Sequence, residues 1–320
     1  MQAIAKSSPN IALIKYWGKR DTLKNLPAVD SLSLTLDSLW TTMDVKFSPE
    51  MLQDELVIND EQQDKEFSRV QDCLNLVAGE SRNFAKIKSS CNFPISAGLA
   101  SSSSSFSALV IAANSALGEK WNTHLFANQA SAISGSAARS LLGGIVELEN
   151  ISNGIKIQQL SKPNRWPLKV IIAITDTRKK PISSSEAMKL SAKTSPFYAS
   201  WVQDQVFDMK EAKTAVVDQD FEKLAVISEH NCLKMHSVMW TSRPSIVYWN
   251  SATINCMHAI RNLQKKGEPV FFTIDAGPQI KAICLPENED LVEKRLGEIV
   301  GVKSIMKSDL GSGPSVDINI

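Results

Sequence analysis

The sequence is poor in the residues that usually announce a chemistry. Its five cysteines (Cys73, Cys91, Cys232, Cys256 and Cys284) are scattered, odd in number and form no CxxC. That pattern excludes a disulfide framework and a cysteine zinc site, and it fits a reducing, cytoplasmic setting. The four histidines (His124, His230, His236 and His258) show no HExxH spacing. His230 and His236, six residues apart, fall on different faces of any helix that carries both, so a histidine metal centre is not expected. Charge of one sign is also missing: 35 Lys and Arg against 34 Asp and Glu leave a net charge of +1. A general surface for nucleic acid or another polyanion is thereby excluded, while local cationic pockets are not. No apolar run approaches the roughly 20 residues of a membrane span, and the N-terminus shows no signal-peptide pattern. Neither a membrane nor a nucleic acid is expected as a partner, and no internal repeat is visible.

What is present is a chain of 320 residues with 43% apolar content, enough for a large core or two domains. Short strand signals crowd the first half. Ile11-Ala12-Leu13-Ile14 reads as buried, and Ser31-Leu32-Ser33-Leu34-Thr35-Leu36 alternates as a half-buried strand does. Strands are also expected from Trp40 to Phe47, from Ala85 to Ser89, from Ile145 to Leu148 and from Leu168 to Ile174, with a hairpin from Glu50 to Asp60. Helices are expected from Phe67 to Val77 and from Thr123 to Ser134. Composition changes near Thr177-Arg178-Lys179-Lys180-Pro181, which suggests domains at residues 1–178 and 179–320. Beyond it come helical stretches at Ser184–Leu190, Pro196–Val216, Phe221–Met235 and Ser245–Leu263. A strand at Val270–Ile274 follows, with an antiparallel partner at Lys281–Leu285, a helix near Glu289–Ile299 and a strand near Val302–Met306. Strands first and helices later indicate an α+β class.

The stretch Asn92-Phe93-Pro94-Ile95-Ser96-Ala97-Gly98-Leu99-Ala100-Ser101-Ser102-Ser103-Ser104-Ser105 organises the rest. A turn-forming loop of small residues runs into a helix marked by Phe106, Leu109, Val110, Ala113 and Leu117, with Gly118 placed as a cap. Gly98 permits close approach of backbone to a ligand, and free N–H groups at a helix start attract anions. The segment therefore suits nucleotide phosphates, although an N-capped helix after a serine linker reads the same way.

Asp275 closes an apolar strand before a turn with Gly277 and Pro278. A carboxylate there can serve as a base or an orienting group, while Asp-Ala-Gly-Pro is also ordinary turn chemistry. Arg139 lies in Ser134-Gly135-Ser136-Ala137-Ala138-Arg139-Ser140-Leu141-Leu142-Gly143-Gly144. Its planar fork suits a carboxylate or phosphate, with Ser134, Gly135 and Ser136 as further donors. Lys15 and Lys19 bracket Tyr16-Trp17-Gly18. They suit either a partly dry cationic pocket or the charged edge of a strand. The run Arg178-Lys179-Lys180 reads mainly as solvated charge.

Four segments, in this order, resemble the diphosphomevalonate decarboxylases of the GHMP kinase superfamily. Asn10-Ile11-Ala12-Leu13-Ile14-Lys15-Tyr16-Trp17-Gly18-Lys19-Arg20-Asp21 is similar to their N-terminal signature, and Asn92 to Ser102 to their phosphate loop. Ser134 to Gly144 resembles their Ser-Gly-Ser-Ala-Cys-Arg-Ser segment, and Phe272-Thr273-Ile274-Asp275-Ala276-Gly277-Pro278 their catalytic aspartate motif. Weaker similarity at Lys180 to Thr194 and around Met235-His236 extends the match over nearly the whole chain.

The resemblance implies a ribosomal-protein-S5-like N-terminal domain, a ferredoxin-like C-terminal domain and a site between them. It implies ATP-dependent decarboxylation of mevalonate 5-diphosphate to isopentenyl diphosphate through phosphorylation of the 3-hydroxyl. ATP and Mg2+ are then the expected cosubstrate and cofactor, and a homodimer the expected assembly. Residue by residue, it makes Asp275, Arg139 and Lys15 catalytic. Asn10, Tyr16, Lys19, Ser134, Gly135, Ser136, Arg139 and Ser184 would bind substrate. Ser96, Ala97, Gly98, Leu99, Ala100, Ser101 and Ser102 would bind ATP, with Ser102 also on magnesium. This chain departs from the family pattern at Ala138, at Val29-Asp30, at Gln279 and at Ser185, where some bacterial members carry an arginine. A phosphomevalonate decarboxylase, a mevalonate 3-kinase and a ligand-sensing regulator on the same fold are the competing readings.

Overall fold

The computed structural model describes residues 2–59, 61–62, 67–93, 101–178 and 180–319. In the first half, β1 (Gln2–Ser7) leads to β2 (Asn10–Ile14), the short pair β3 (Lys19–Asp21) and β4 (Leu26–Pro27), β5 (Ser31–Thr35) and β6 (Thr41–Ser48). Then come β7 (Glu55–Ile58), β8 (Glu61–Gln62), α1 (Phe67–Ala78), β9 (Phe84–Cys91), α2 (Ser101–Ala116) and α3 (Thr123–Ile133). A 3-10 turn at Ala137–Leu141 precedes the hairpin of β10 (Ile145–Ile151) and β11 (Gly154–Ser161). The second half holds β12 (Lys169–Ile174), α4 (Ser184–Thr194), α5 (Tyr198–Asp218), α6 (Phe221–Trp240), α7 (Ser251–Gln264), β13 (Val270–Ile274), β14 (Ile280–Cys284), α8 (Glu289–Gly297), β15 (Ser304–Ser308) and β16 (Ser315–Asn319).

Three main sheets result. The largest runs β16-β1-β6-β9-β7-β8, antiparallel except where β7 meets β9. A second runs β11-β10-β5-β2, and a third β13-β14-β12-β15. Helix α2 is buried nearly all round, its serines and alanines being small enough for close packing on every side. It packs on β1 and β6 on one side and on α1, α3 and the 3-10 turn on the other. Helices α5 and α6 pack on the second sheet, so one apolar cluster joins Leu32 and Leu34 of the first half to Val170, Met209 and Phe271 of the second.

The α+β class is the one expected, with local differences. Strand β5 is buried at every position rather than on alternate ones, because its sheet is covered on both faces. Strand β11 was not expected, although Asn153-Gly154 carries a hairpin signal. Strand β16 was not expected either; it returns to pair with β1. The hairpin expected from 50 to 60 is the pair β7–β8, displaced toward higher numbers. Helix α7 starts at Ser251 rather than Ser245, because Asn250 and Thr253 form a reciprocal cap. Strand β12 precedes the composition change at 177–181 yet pairs with β14 and β15 of the later half.

Candidate active site

The site begins where β13 ends. This strand is the edge of its sheet, and on its outer side the helices supply what a neighbouring strand would. Gln264 Nε2 donates to the Val270 carbonyl at 2.9 Å, and the Phe272 N–H donates to Glu229 Oε1 at 3.2 Å. The Ile274 N–H donates to Cys232 Sγ at 3.2 Å, and His236 Nε2 lies 3.2 Å from the Ile274 carbonyl. Burial and the nearby lysines outweigh the Ile274 carbonyl and push His236 down to about 3, so it is neutral here. The strand thus reaches Asp275 with its last residue held from both sides.

Lys15, at the end of β2, is 1% exposed. Its backbone is gripped by the helical layer: the Lys15 N–H donates to Asn231 Oδ1 at 2.8 Å, and Gln205 Nε2 donates to the Lys15 carbonyl at 2.7 Å. Asn231 Nδ2 in turn donates to Gln205 Oε1 and Asp208 Oδ2. So fixed, Lys15 Nζ donates to the Ala12 carbonyl at 2.8 Å and to Asp275 Oδ1 at 2.7 Å. On the other side of the carboxylate, Lys281 Nζ stands 3.1 Å from Asp275 Oδ2. Burial raises the Asp275 pKa, but Lys15 and Lys281 together outweigh it and hold the carboxyl well below the usual range.

Arg139 is buried without such compensation. Its Nε donates to Ser33 Oγ at 3.1 Å and to Asn10 Oδ1 at 3.3 Å, and its Nη1 donates to Ser31 Oγ at 2.6 Å. Asn10 is set by its own donations to the Ser136 carbonyl and Ser140 Oγ. Among the described residues no carboxylate forms an ion pair with Arg139. Burial brings its pKa down to about 10, against the pull of Tyr16 and Asp275.

Tyr16 lies beside it, the ring centroid 5.9 Å from the guanidinium carbon. The Tyr16 hydroxyl is buried and has no hydrogen-bond partner among the described residues, and burial lifts its pKa to about 12. It rests against Gly135, where a Cβ would collide with it. Ser134 and Ser136 flank that glycine, their hydroxyls 3.5 Å apart. Lys19 Nζ donates to Ser185 Oγ at 2.9 Å, and burial with the charges of Lys189 and Arg69 lowers its pKa.

Asp275, Lys15, Arg139, Tyr16 and Lys19 open on one cleft of about 830 Å3 between the halves of the molecule, with Lys281, Ser31 and Ser33 behind its wall. It takes in the expected Asn10, Lys15, Tyr16, Lys19, Ser134, Gly135, Ser136, Arg139, Ser184 and Asp275, and at the start of α2 Ser101 and Ser102. Ser96, Ala97, Gly98, Leu99 and Ala100 lie outside the described residues. Trp17 belongs to the core beneath the cleft.

Several groups escaped the sequence reading. Arg178 is exposed and pairs with Asp176, but Lys180 is not part of a solvated run. It turns inward, donates to Ser184 Oγ at 2.7 Å and to the Ala276 carbonyl at 3.1 Å, and burial and Lys281 lower its pKa to about 8. Lys281 gave no signal beyond a charge inside an apolar strand, and Ser31 and Ser33 passed for a solvated face. The departures from the family pattern have local structural roles. Asp30 Oδ1 accepts from the Asn150 N–H at 2.7 Å, Gln279 Oε1 accepts from the Thr175 N–H at 2.6 Å, and Ala138 fills the core.

Comparison with known proteins agrees in both halves. The profile of the diphosphomevalonate decarboxylase-like N-terminal domain matches residues 7–158, and that of the mevalonate 5-diphosphate decarboxylase C-terminal domain matches residues 170–311. The diphosphomevalonate decarboxylase of Saccharomyces cerevisiae is 33% identical over 91% of this chain and 81% of its own. Among solved structures, the mevalonate diphosphate decarboxylase from Enterococcus faecalis superposes with a TM-score of 0.92 at 32% identity, covering 100% of this chain and 99% of that one. A complex of MDDEF with MVAPP, AMPPCP and magnesium gives a TM-score of 0.93 at 31% identity, with coverage of 100% and 99%. The α+β architecture is accordingly the GHMP kinase type. With both halves matched in order and nearly the whole length shared, the chain belongs to the diphosphomevalonate decarboxylase family.

Proposed function

We propose that this cleft decarboxylates mevalonate 5-diphosphate at the expense of ATP, giving isopentenyl diphosphate, carbon dioxide, ADP and phosphate. One observation carries the reading: a carboxylate held ionised by two buried lysines shares a cleft with a buried arginine that has no ion-paired carboxylate among the described residues. A tertiary hydroxyl is a poor leaving group and becomes a good one once phosphorylated. Asp275 orients the 3-hydroxyl and takes its proton as the oxygen attacks the γ-phosphorus and the bond to ADP breaks. The C3–O bond and the bond to the carboxylate then break. The electron pair left by carbon dioxide forms the new double bond, and the 3-oxygen departs with the phosphate.

Lys15 and Lys180 offset phosphate charge near the reacting oxygen. Arg139, with Asn10 behind it, positions the substrate. Tyr16, Lys19, Ser134, Gly135 and Ser136 take the diphosphate, the Tyr16 hydroxyl supplying a donor that the protein leaves unused. Ser184 shares its hydroxyl with Lys180 at the same wall. Ser101 and Ser102 start α2, where N–H groups favour the ATP phosphates.

Magnesium fits this donor set in one way. Among the described residues no cluster of three or more His, Cys, Asp or Glu could hold a metal. Ser102, at the start of α2 and on the wall of the cleft, would supply a hydroxyl to a magnesium ion held on the nucleotide phosphates, in keeping with the oxygen preference of Mg2+. When bound, it supplies charge neutralisation for the phosphates.

The test measures ADP and trapped carbon dioxide with mevalonate, its 5-phosphate and its 5-diphosphate, for the wild type and Asp275→Asn. Equal ADP and carbon dioxide only with the diphosphate, reduced about 10²–10⁴-fold by the substitution, is the expected result. ADP without carbon dioxide would make the protein a 3-kinase, and no turnover with any substrate would favour the regulator.

A further inference from the structure

The carboxylate of Asp275 is bounded by two buried cations, and only one of them belongs to the segment that the sequence singled out. In the β13–β14 ladder Thr273 is paired with Lys281. Side chains alternate along a strand, so Asp275, two residues beyond Thr273, leans over the same face and becomes the diagonal neighbour of Lys281. The remaining residues of β14 (Ile280, Ala282, Ile283 and Cys284) are apolar and buried, and Lys281 is itself 1% exposed. A lysine in such surroundings is costly to keep charged without an opposite charge at hand, and Asp275 Oδ2, 3.1 Å from its Nζ, supplies one.

The two lysines hold the carboxylate differently. Lys15 donates a hydrogen bond to Oδ1 at 2.7 Å. Oδ2 is buried, touches Lys281 as an ion pair and is left without a hydrogen bond. One lysine alone would leave the carboxylate free to turn about its own bond; a second charge on the other oxygen fixes its plane. Oδ2 is thereby closed off, and an incoming hydroxyl meets the part of the side chain that stays open to the cleft, which is 25% exposed. The other groups facing Asp275 fit this division. Lys180 approaches from the segment before α4, Arg139 from the 3-10 turn, and Cys232 and His236 lie neutral on α6.

We infer that Lys281 is a positioning residue: from β14 its charge on Oδ2 fixes the plane of the Asp275 carboxylate, so that the edge facing the cleft receives the substrate hydroxyl. This rests on the reading of Asp275 given above. It also suits the reaction, since in a loose phosphoryl transfer the protein contributes mainly positioning and electrostatics.

The experiment compares wild type, Lys281→Met, Lys281→Gln, Lys281→Arg and Asp275→Asn, following ADP release with ATP and mevalonate 5-diphosphate from about pH 3 to about pH 9, the lower end chosen to reach the limb of a carboxylate held below its usual range. Both neutral variants should lose kcat by about 10- to 100-fold, the scale of a misplaced reacting group, while KM changes little. Their acid limb should rise by about one pH unit or more, since one of two opposite charges beside the carboxylate is gone. Lys281→Arg should recover part of kcat and return the limb to its wild-type position. A wild-type acid limb in the neutral variants, or a loss confined to KM, would overturn the inference. So would failure of both neutral variants to fold while Lys281→Arg folds, because the lysine would then serve the fold alone. Turnover retained by Asp275→Asn would sink the reading of Asp275 itself and is distinguishable from these results.

Discussion

The two buried charges of the cleft are provided for in opposite ways. Asp275 is enclosed by cations from the protein, Lys15 on one oxygen and Lys281 on the other. Arg139 is enclosed by neutral donors and acceptors, the hydroxyls of Ser31 and Ser33 and the amide of Asn10. A buried charge is stable only when something opposes it. At Asp275 the opposition is built in, so the carboxylate is ionised before any ligand arrives. At Arg139 the described residues supply shape and polar contacts but no ion-paired carboxylate, an arrangement that suits a carboxylate or phosphate brought by a ligand. On the proposed function, the first arrangement would keep a reacting group ready, and the second would let substrate binding complete the electrostatics of the site.

The sharpest way to break this contrast is at Arg139. A tight pair between Arg139 and the substrate carboxylate stabilises a charge that vanishes as carbon dioxide leaves. Such a contact lowers the ground state more than the transition state and cannot itself speed decarboxylation. Its value lies in placing the substrate and the 3-oxygen through a planar fork that lysine lacks. Arg139→Lys should therefore lower kcat by about 10²–10³-fold, the scale of losing one preorganised donor, with a much smaller change in substrate affinity. Weak binding with normal turnover at saturation would remove the idea.

A second test sharpens the Asp275 side through pH. Burial and Lys281 bring Lys180 down to about 8, so in the free protein it loses its proton, and its charge, as pH rises through that value. An alkaline limb in kcat/KM is expected near that pH. It should lie higher in kcat, because bound phosphate favours the protonated lysine. Lys180→Arg should carry the limb out of range, since arginine stays charged; an unmoved limb would assign it to another group.

The smallest effect is expected from Ser31→Ala, which removes one hydroxyl from the Arg139 Nη1 at 2.6 Å and leaves the others in place. A hydrogen bond to a charged group is worth roughly 1.5–3 kcal/mol, so turnover should fall about tenfold or somewhat more while the fold persists. A loss as large as that of Arg139→Lys would mean that the hydroxyls, not the guanidinium geometry, set the position.

Asp275, Arg139, Lys15 and the serine helix could be read from the chain because each sits in a local pattern: a turn after an apolar strand, a glycine-flanked arginine, an aromatic cluster between lysines, small residues before an apolar helix. Lys281 and Lys180 could not. A lysine within a strand, or at the end of a basic run, looks solvated until its neighbours in space are known. Ser31 and Ser33 misled in the same way, since alternation with leucine marks a wet face only when a sheet has one. The strands β11 and β16 were missed for a related reason: one closes a hairpin and the other pairs with residues at the opposite end of the chain.

The sequence by itself determined the α+β class, most of the helices and strands, and the turn and cap residues, because these follow from periodicity and backbone chemistry over a few neighbouring positions. Only the tertiary structure decided which charges face one another. Lys15 and Asp275 are 260 residues apart, and the partners of Arg139 come from two separate segments, β2 and β5. Such pairings depend on strand register and on how α5 and α6 seat against the second sheet. A shift of one residue in β5 would turn Ser31 and Ser33 to the opposite face and away from Arg139.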